Sequence, residues 1–278
     1  MSPLSPSTGA ALVPLQASQA AVFDRIAGDP VLSASLWVNV ALAGLSILLF
    51  VAMGRELETD RARAIFVATL LVPLVSIASY LGMVSGLTVG LLEMPAGHPL
   101  AGAEVLSFWG RYLTWTLSTP MILVALGLLA NTDRTKLFTV VTMDIGMCVT
   151  GLAAALITSS YLLRWAFFLL SCAFFVVVLY VLLAEWPADA RAAGTSEIFG
   201  TLRNLTVVLW LGYPVLWALG VEGIALLDVA VTSWGYSLLD VLAKYVFAFL
   251  LLRWVAANEG VVADAGEPFG SGAAPADD

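Results

Sequence analysis

The chain has 278 residues, 60% of them hydrophobic and only 12% charged, and its mean hydropathy is +0.96. Soluble domains carry about twice that share of charge, so the composition excludes one and points to a chain that crosses a membrane several times. With 12 Lys and Arg against 20 Asp and Glu, the formal charge of −8 excludes a basic nucleic-acid surface.

Residues 1–30 are rich in Ser, Ala and Pro and have no basic segment leading directly into an apolar core, so a flexible external arm is expected rather than a signal peptide. Seven apolar stretches follow, near 31–53, 65–87, 107–130, 137–157, 162–184, 203–224 and 231–255. Each is close to the roughly 20 residues that cross hydrocarbon. Segment 88–106 holds Pro95, Gly97, Pro99 and Gly102 and is expected to be a structured external loop. Residues 257–278, rich in Gly, Ala and Asp, read as a disordered acidic tail.

Arg55, Arg61, Arg63, Arg134, Lys136, Arg191, Arg203 and Arg253 fall at one set of span ends, whereas Arg25 and Arg164 fall at the other. The richer side is cytoplasmic. The expected fold is therefore an all-α, seven-transmembrane-helix bundle over 31–256, with its N-terminus outside and its C-terminus inside. No inverted repeat of the kind found in two-halves transporters is visible. Cys148 and Cys172 lie within apolar runs and read as small buried hydrophobes, and the single His98 has no companions for a metal site. Asn204-Leu205-Thr206 matches a glycosylation sequon on the cytoplasmic side, where it is a chance match.

The seventh span holds the most unusual feature, Lys244 near mid-membrane with Asp240 one helical turn earlier on the same face. A lysine there costs about 2.5–3.5 kcal/mol on insertion scales. A buried lysine also loses its proton readily and can then attack a carbonyl to form a Schiff base. The plain alternative is a structural ion pair. The other ionisable groups well inside the spans are Arg111 and Asp144, while Glu222 lies near the outer end of span six. Asp144 has no basic neighbour in sequence and is expected neutral. If the remaining three converge, two cations face one carboxylate, and such a site either loses a proton or holds a mobile anion.

Span three offers donors at helical spacing: Arg111, Thr114, Trp115 and Ser118, just before Pro120. Hydroxyls in membrane helices also bond back to their own backbone, which is the competing reading. In span six, Trp210, Tyr213, Pro214 and Trp217 share one face, suited either to plain packing or to walling a long conjugated ligand.

Three segments, Arg111-Tyr112-Leu113-Thr114-Trp115-Thr116-Leu117-Ser118-Thr119-Pro120, Trp210-Leu211-Gly212-Tyr213-Pro214 to Trp217, and Asp240 to Lys244, resemble the microbial (type 1) rhodopsins in order, spacing and span number. The resemblance is strongest to the light-driven chloride pumps of that family, the halorhodopsins of haloarchaea, which also have a loop like Glu93-Met94-Pro95-Ala96-Gly97-His98.

The resemblance implies a multi-pass cell-membrane transporter rather than an enzyme, with all-trans retinal bound to Lys244 as a protonated Schiff base and Asp240 as its remaining counterion. It implies a retinal wall of Trp115, Thr119, Met147, Gly151, Phe168, Ser171, Cys172, Phe175, Trp210, Tyr213, Pro214 and Trp217. It implies a chloride site of Thr114, Ser118, Arg111, Lys244 and Asp240 with Ser79 behind it, and inward release past Arg203 and Thr206. Thr114 and Ala125 stand where proton-pumping relatives keep carboxylates, which argues against a proton pump. A homotrimer in the lipid bilayer, with carotenoid as a candidate companion, is also implied. Two rivals are a light sensor with a transducer partner and a seven-span receptor or transporter with no chromophore.

Overall fold

The computed structural model describes residues 13–265. Six helices are long and apolar enough to cross a membrane: α2 (Pro30–Gly54), α3 (Asp60–Val84), α4 (Gly110–Ala130), α5 (Arg134–Leu156), α6 (Tyr161–Tyr180, prolonged by α7, Trp186–Ala192) and α8 (Ser196–Leu219). The seventh crossing is assembled from α9 (Val229–Asp240), a π-helical turn over Val241–Val246 and α10 (Phe247–Ala257). A second π turn, Val181–Glu185, joins α6 to α7.

The starts of these helices are written in side chains. Asp29 accepts from the amides of Val31 and Leu32 ahead of α2, Asp133 caps α5, Ser160 caps α6 and Asp228 caps α9. Each such cap is worth about 1 kcal/mol. The second span begins at Asp60 and ends at Val84, so it sits several residues earlier than its apolar stretch suggests. The sixth begins at Ser196 rather than near 203 and ends at Leu219 rather than 224. In both cases charged or polar residues extend the helix beyond the hydrocarbon into the interface. Segment 88–106 folds as an antiparallel hairpin, β1 (Gly90–Glu93) against β2 (Glu104–Ser107), with Gly90 opposite Ser107.

Two stretches expected to be unstructured contain helices. Within the predicted external arm, α1 (Val13–Gly28) buries Val22 and Ile26, four apart on one face, against Leu32, Leu36 and Tyr80. Gly86, with φ +74°, leaves room for this approach: a Cβ there would lie 3.2 Å from the Gln19 carbonyl oxygen. Within the predicted tail, α11 (Glu259–Asp264) lies across the cytoplasmic ends. The Glu259 carboxylate accepts from the amides of Glu58 (2.7 Å) and Thr59 (2.6 Å), just ahead of α3. Val262 is buried, and its carbonyl accepts from Arg61. A polar composition hid the few contacts that fasten each segment. Residues 1–12 and 266–278 of those two stretches lie outside the described residues.

The interior divides along the membrane normal. The cytoplasmic half is a large apolar cluster including Ile65, Leu123, Ala125, Leu126, Leu182, Leu251 and Val255. The external half is smaller and is interleaved with the buried polar residues Ser35, Asn39, Arg111, Ser233, Ser237 and Asp240. Large apolar side chains such as Leu48, Leu162, Leu169 and Val208 are exposed around the outside, as a lipid-facing surface requires.

Candidate functional site

The centre of the bundle is a chain of charged and hydroxyl groups. Lys244 and Asp240 are both about 1% exposed, with Nζ 3.0 Å from Oδ1. Lys244 sits inside the π turn, a helical irregularity often found at functional sites because it re-aims a side chain. Two tyrosines fix the carboxylate: Tyr80 donates to Oδ2 at 2.7 Å and Tyr213 to Oδ1 at 2.8 Å. Arg111 is buried and reaches this group indirectly, its Nη1 donating to the Tyr80 hydroxyl at 3.4 Å. The rings of Tyr80, Phe108 and Tyr236 surround its guanidinium, with centroids 5.8, 5.3 and 5.2 Å from Cζ. Among the described residues no carboxylate pairs directly with Arg111. Asp144 is turned away, accepting from Thr119 at 2.6 Å. Arg111, Lys244 and Asp240 therefore form one hydrogen-bonded cluster with two basic side chains and one carboxylate; Glu222, accepting from Tyr112 at 3.0 Å, lines the outer pocket beside Arg111 without pairing to it.

Hydroxyls follow Arg111 along α4 at helical spacing, and one on α3 meets them. Thr114 and Ser79 are hydrogen-bonded to each other, and both reach the Gly110 carbonyl, at 3.0 and 2.9 Å. Ser118, fully buried, has no partner for its hydroxyl among the described residues. Toward the cytoplasm Thr206 is likewise buried with an unpartnered hydroxyl, whereas Arg203 turns to the side-chain oxygen of its neighbour Asn204 at 2.9 Å.

Beside the cluster runs a slot with about 520 Å³ of empty space. Trp115, Met147, Gly151, Phe168, Ser171 and Cys172 line it from α4, α5 and α6, and Phe175, Trp210, Tyr213, Pro214 and Trp217 close it. Phe168 stacks on Trp217 at 4.3 Å, and Trp115 meets Tyr213 edge-on at 5.1 Å. Gly151 borders the slot, where a Cβ would come into ordinary contact with the Ser171 hydroxyl at 3.4 Å. A flat apolar slot between aromatic faces fits a long polyene. Of the wall expected from sequence, Thr119 alone is not among the lining residues; its hydroxyl is committed to Asp144 and the Trp115 carbonyl. Tyr112, Cys148 and Tyr236 line the slot and were not anticipated. For Tyr112 and Cys148 the three-residue spacing from Trp115 and Gly151 held a usable signal.

A seven-helix bundle with a buried lysine beside an aromatic slot defines a class of membrane protein, and sequence comparison agrees. Residues 30–258 match the model of the bacteriorhodopsin-like protein family, and the chain belongs to that family. It is 74% identical to cruxhalorhodopsin-3 of Haloarcula vallismortis over 270 residues, covering 97% of this chain and 98% of that protein. A solved structure of halorhodopsin, described as a light-driven chloride pump, is 68% identical with a TM-score of 0.83, over 84% of this chain and 99% of that one. The bromide-bound form of halorhodopsin from Halobacterium salinarum is 67% identical with a TM-score of 0.83, over 87% and 99%.

Proposed function

We propose that this chain is a light-driven, inward chloride pump of the cell membrane, a transporter rather than an enzyme. The observation that carries the reading is the buried cluster in which Arg111 and Lys244 are linked, among the described residues, to the one carboxylate of Asp240, with the unpartnered Ser118 hydroxyl further along the same helix as Arg111. A charge left unpaired in such surroundings is costly, and a halide completes the set. Retinal, held all-trans on Lys244 as a protonated Schiff base, supplies light absorption and a switchable N–H donor when bound.

The side chains supply the remainder. Tyr80 and Tyr213 each donate to one oxygen of the Asp240 carboxylate, so it stays in place as one fixed anion. Trp115, Trp210 and Trp217 wall the slot and exclude water. Thr114, where a carboxylate would accept a proton, holds none, so outward proton transfer has no first acceptor. Chloride enters past Arg111, rests near Lys244, Thr114 and Ser118 with Ser79 behind, and leaves through the inner half past Thr206 and Arg203. Pro214 removes one backbone donor from α8 and gives the inner half a place to open. A homotrimer in the bilayer, with carotenoid as a candidate companion between subunits, extends the same reading. The test is the pH change of illuminated cells. A chloride importer draws protons in passively and a protonophore enhances the signal, whereas the signal of a proton pump collapses.

A further inference from the structure

Arg111 has a second anchor on the side away from Asp240. Its Nη2 donates to the Ser233 hydroxyl on α9 at 2.6 Å. Ser233 in turn lies 2.7 Å from the Ser35 hydroxyl on α2, and Ser35 lies 2.6 Å from the Leu32 carbonyl. All three side chains are at most 3% exposed.

The direction of this chain follows from counting hydrogens. A carbonyl only accepts, so the single hydroxyl hydrogen of Ser35 goes to Leu32. Ser35 can then only accept from Ser233, which spends its own hydrogen there. Ser233 therefore presents lone pairs, and only lone pairs, to the guanidinium. Bonds aligned in this way reinforce one another in a low-dielectric interior. Asn39, Ser237 and Tyr245 brace the same seam between α2 and the seventh crossing.

We infer that Ser233, oriented by Ser35, is a positioning residue that holds Arg111 back from Asp240 and so preserves the unpaired positive charge the anion needs. Arg111 stands at a fork, with Tyr80 leading one edge toward Asp240 and Ser233 drawing the other outward. With the Ser233 acceptor gone, the carboxylates left to the guanidinium are Asp240, reached through Tyr80, and Glu222, which lines the same outer pocket as Arg111 and Ser233. A direct pair with either would cancel the charge excess and weaken halide binding. The inference rests on the reading of Arg111 as a cation of the anion site.

The test is a chloride titration of the visible band in the retinal-loaded protein. Ser233→Ala should raise the apparent chloride Kd by about tenfold, the scale of a lost hydrogen bond to a charged group. Ser233→Thr, which keeps the acceptor, should restore it. Ser35→Ala, which frees the Ser233 hydrogen, should give a smaller rise. Thermal stability and the band at saturating chloride should stay near those of the unaltered protein, which a packing defect would not allow. In an Arg111→Gln background, Ser233→Ala should have no further effect. An unchanged Kd in Ser233→Ala, or an equal rise in both backgrounds, overturns the inference. If Arg111→Gln itself binds chloride normally, the anion-site reading fails instead.

Discussion

The external and cytoplasmic halves of the bundle are built on opposite terms. Outside Lys244, the interior is a continuous set of hydrogen bonds linking Ser35, Ser233, Arg111, Tyr80, Asp240 and Tyr213. On the cytoplasmic side, Ala125, Leu123, Leu126 and Leu251 are buried in apolar contact, and the Thr206 hydroxyl has no partner among the described residues. In the proposed reading an anion rests in the first half and passes through the second, so a structural opening there accompanies transfer. The furnished half is then the entry side and the dry half the exit side.

The comparison can be broken most completely at its centre. Lys244→Ala should leave a protein with no visible band after reconstitution with retinal; a normal band would remove the covalent assignment. Next comes Thr114→Asp, which adds a fixed carboxylate to the furnished half. It should replace the halide as counterion, weaken chloride affinity by more than about a hundredfold, since like charges in one low-dielectric site cost several kcal/mol, and permit outward proton movement. A chloride-induced shift of unchanged affinity would place Thr114 outside the site. Ser118→Ala removes a single donor and should raise the chloride Kd by about tenfold, in line with about 1.5–3 kcal/mol for a hydrogen bond to an ion.

The smallest expected effect lies at the cytoplasmic strap. The amides of Thr59 and Glu58 hold the Glu259 carboxyl below its usual 4.5. A depressed carboxyl stabilises the docked form above the unfolded value and loses that contribution as pH falls through the folded one. The strap should therefore loosen below about pH 4.5, and Glu259→Gln should lose that pH step. Hydrogen exchange at the Glu58 and Thr59 amides reads both; equal exchange in the two proteins at neutral pH would show that the strap does not depend on this carboxylate.

Much of the bundle could be read from hydropathy, because spans near 20 apolar residues and a lysine in mid-membrane leave few arrangements open. The two π turns could not, since one extra residue per turn changes no residue type. The helices α1 and α11 were hidden for a related reason: Val22 and Ile26, or Val262 and Glu259, are too few to mark a segment rich in Ala and Gly. At the site, Asp240 and Lys244 were visible because they are a helical turn apart. Ser35 and Ser233 are 198 positions apart, and only folding brings them together. Thr119 shares a helix with Trp115, yet its hydroxyl is directed to Asp144, a choice set by the neighbouring helix rather than by spacing.

The central claim is that a halide supplies the charge missing between Arg111, Lys244 and Asp240. Adding chloride to the retinal-loaded, chloride-free protein while recording its visible spectrum tests this directly. The account predicts a saturable shift of the band that bromide reproduces. A band that stays fixed from chloride-free buffer to saturated salt would contradict it.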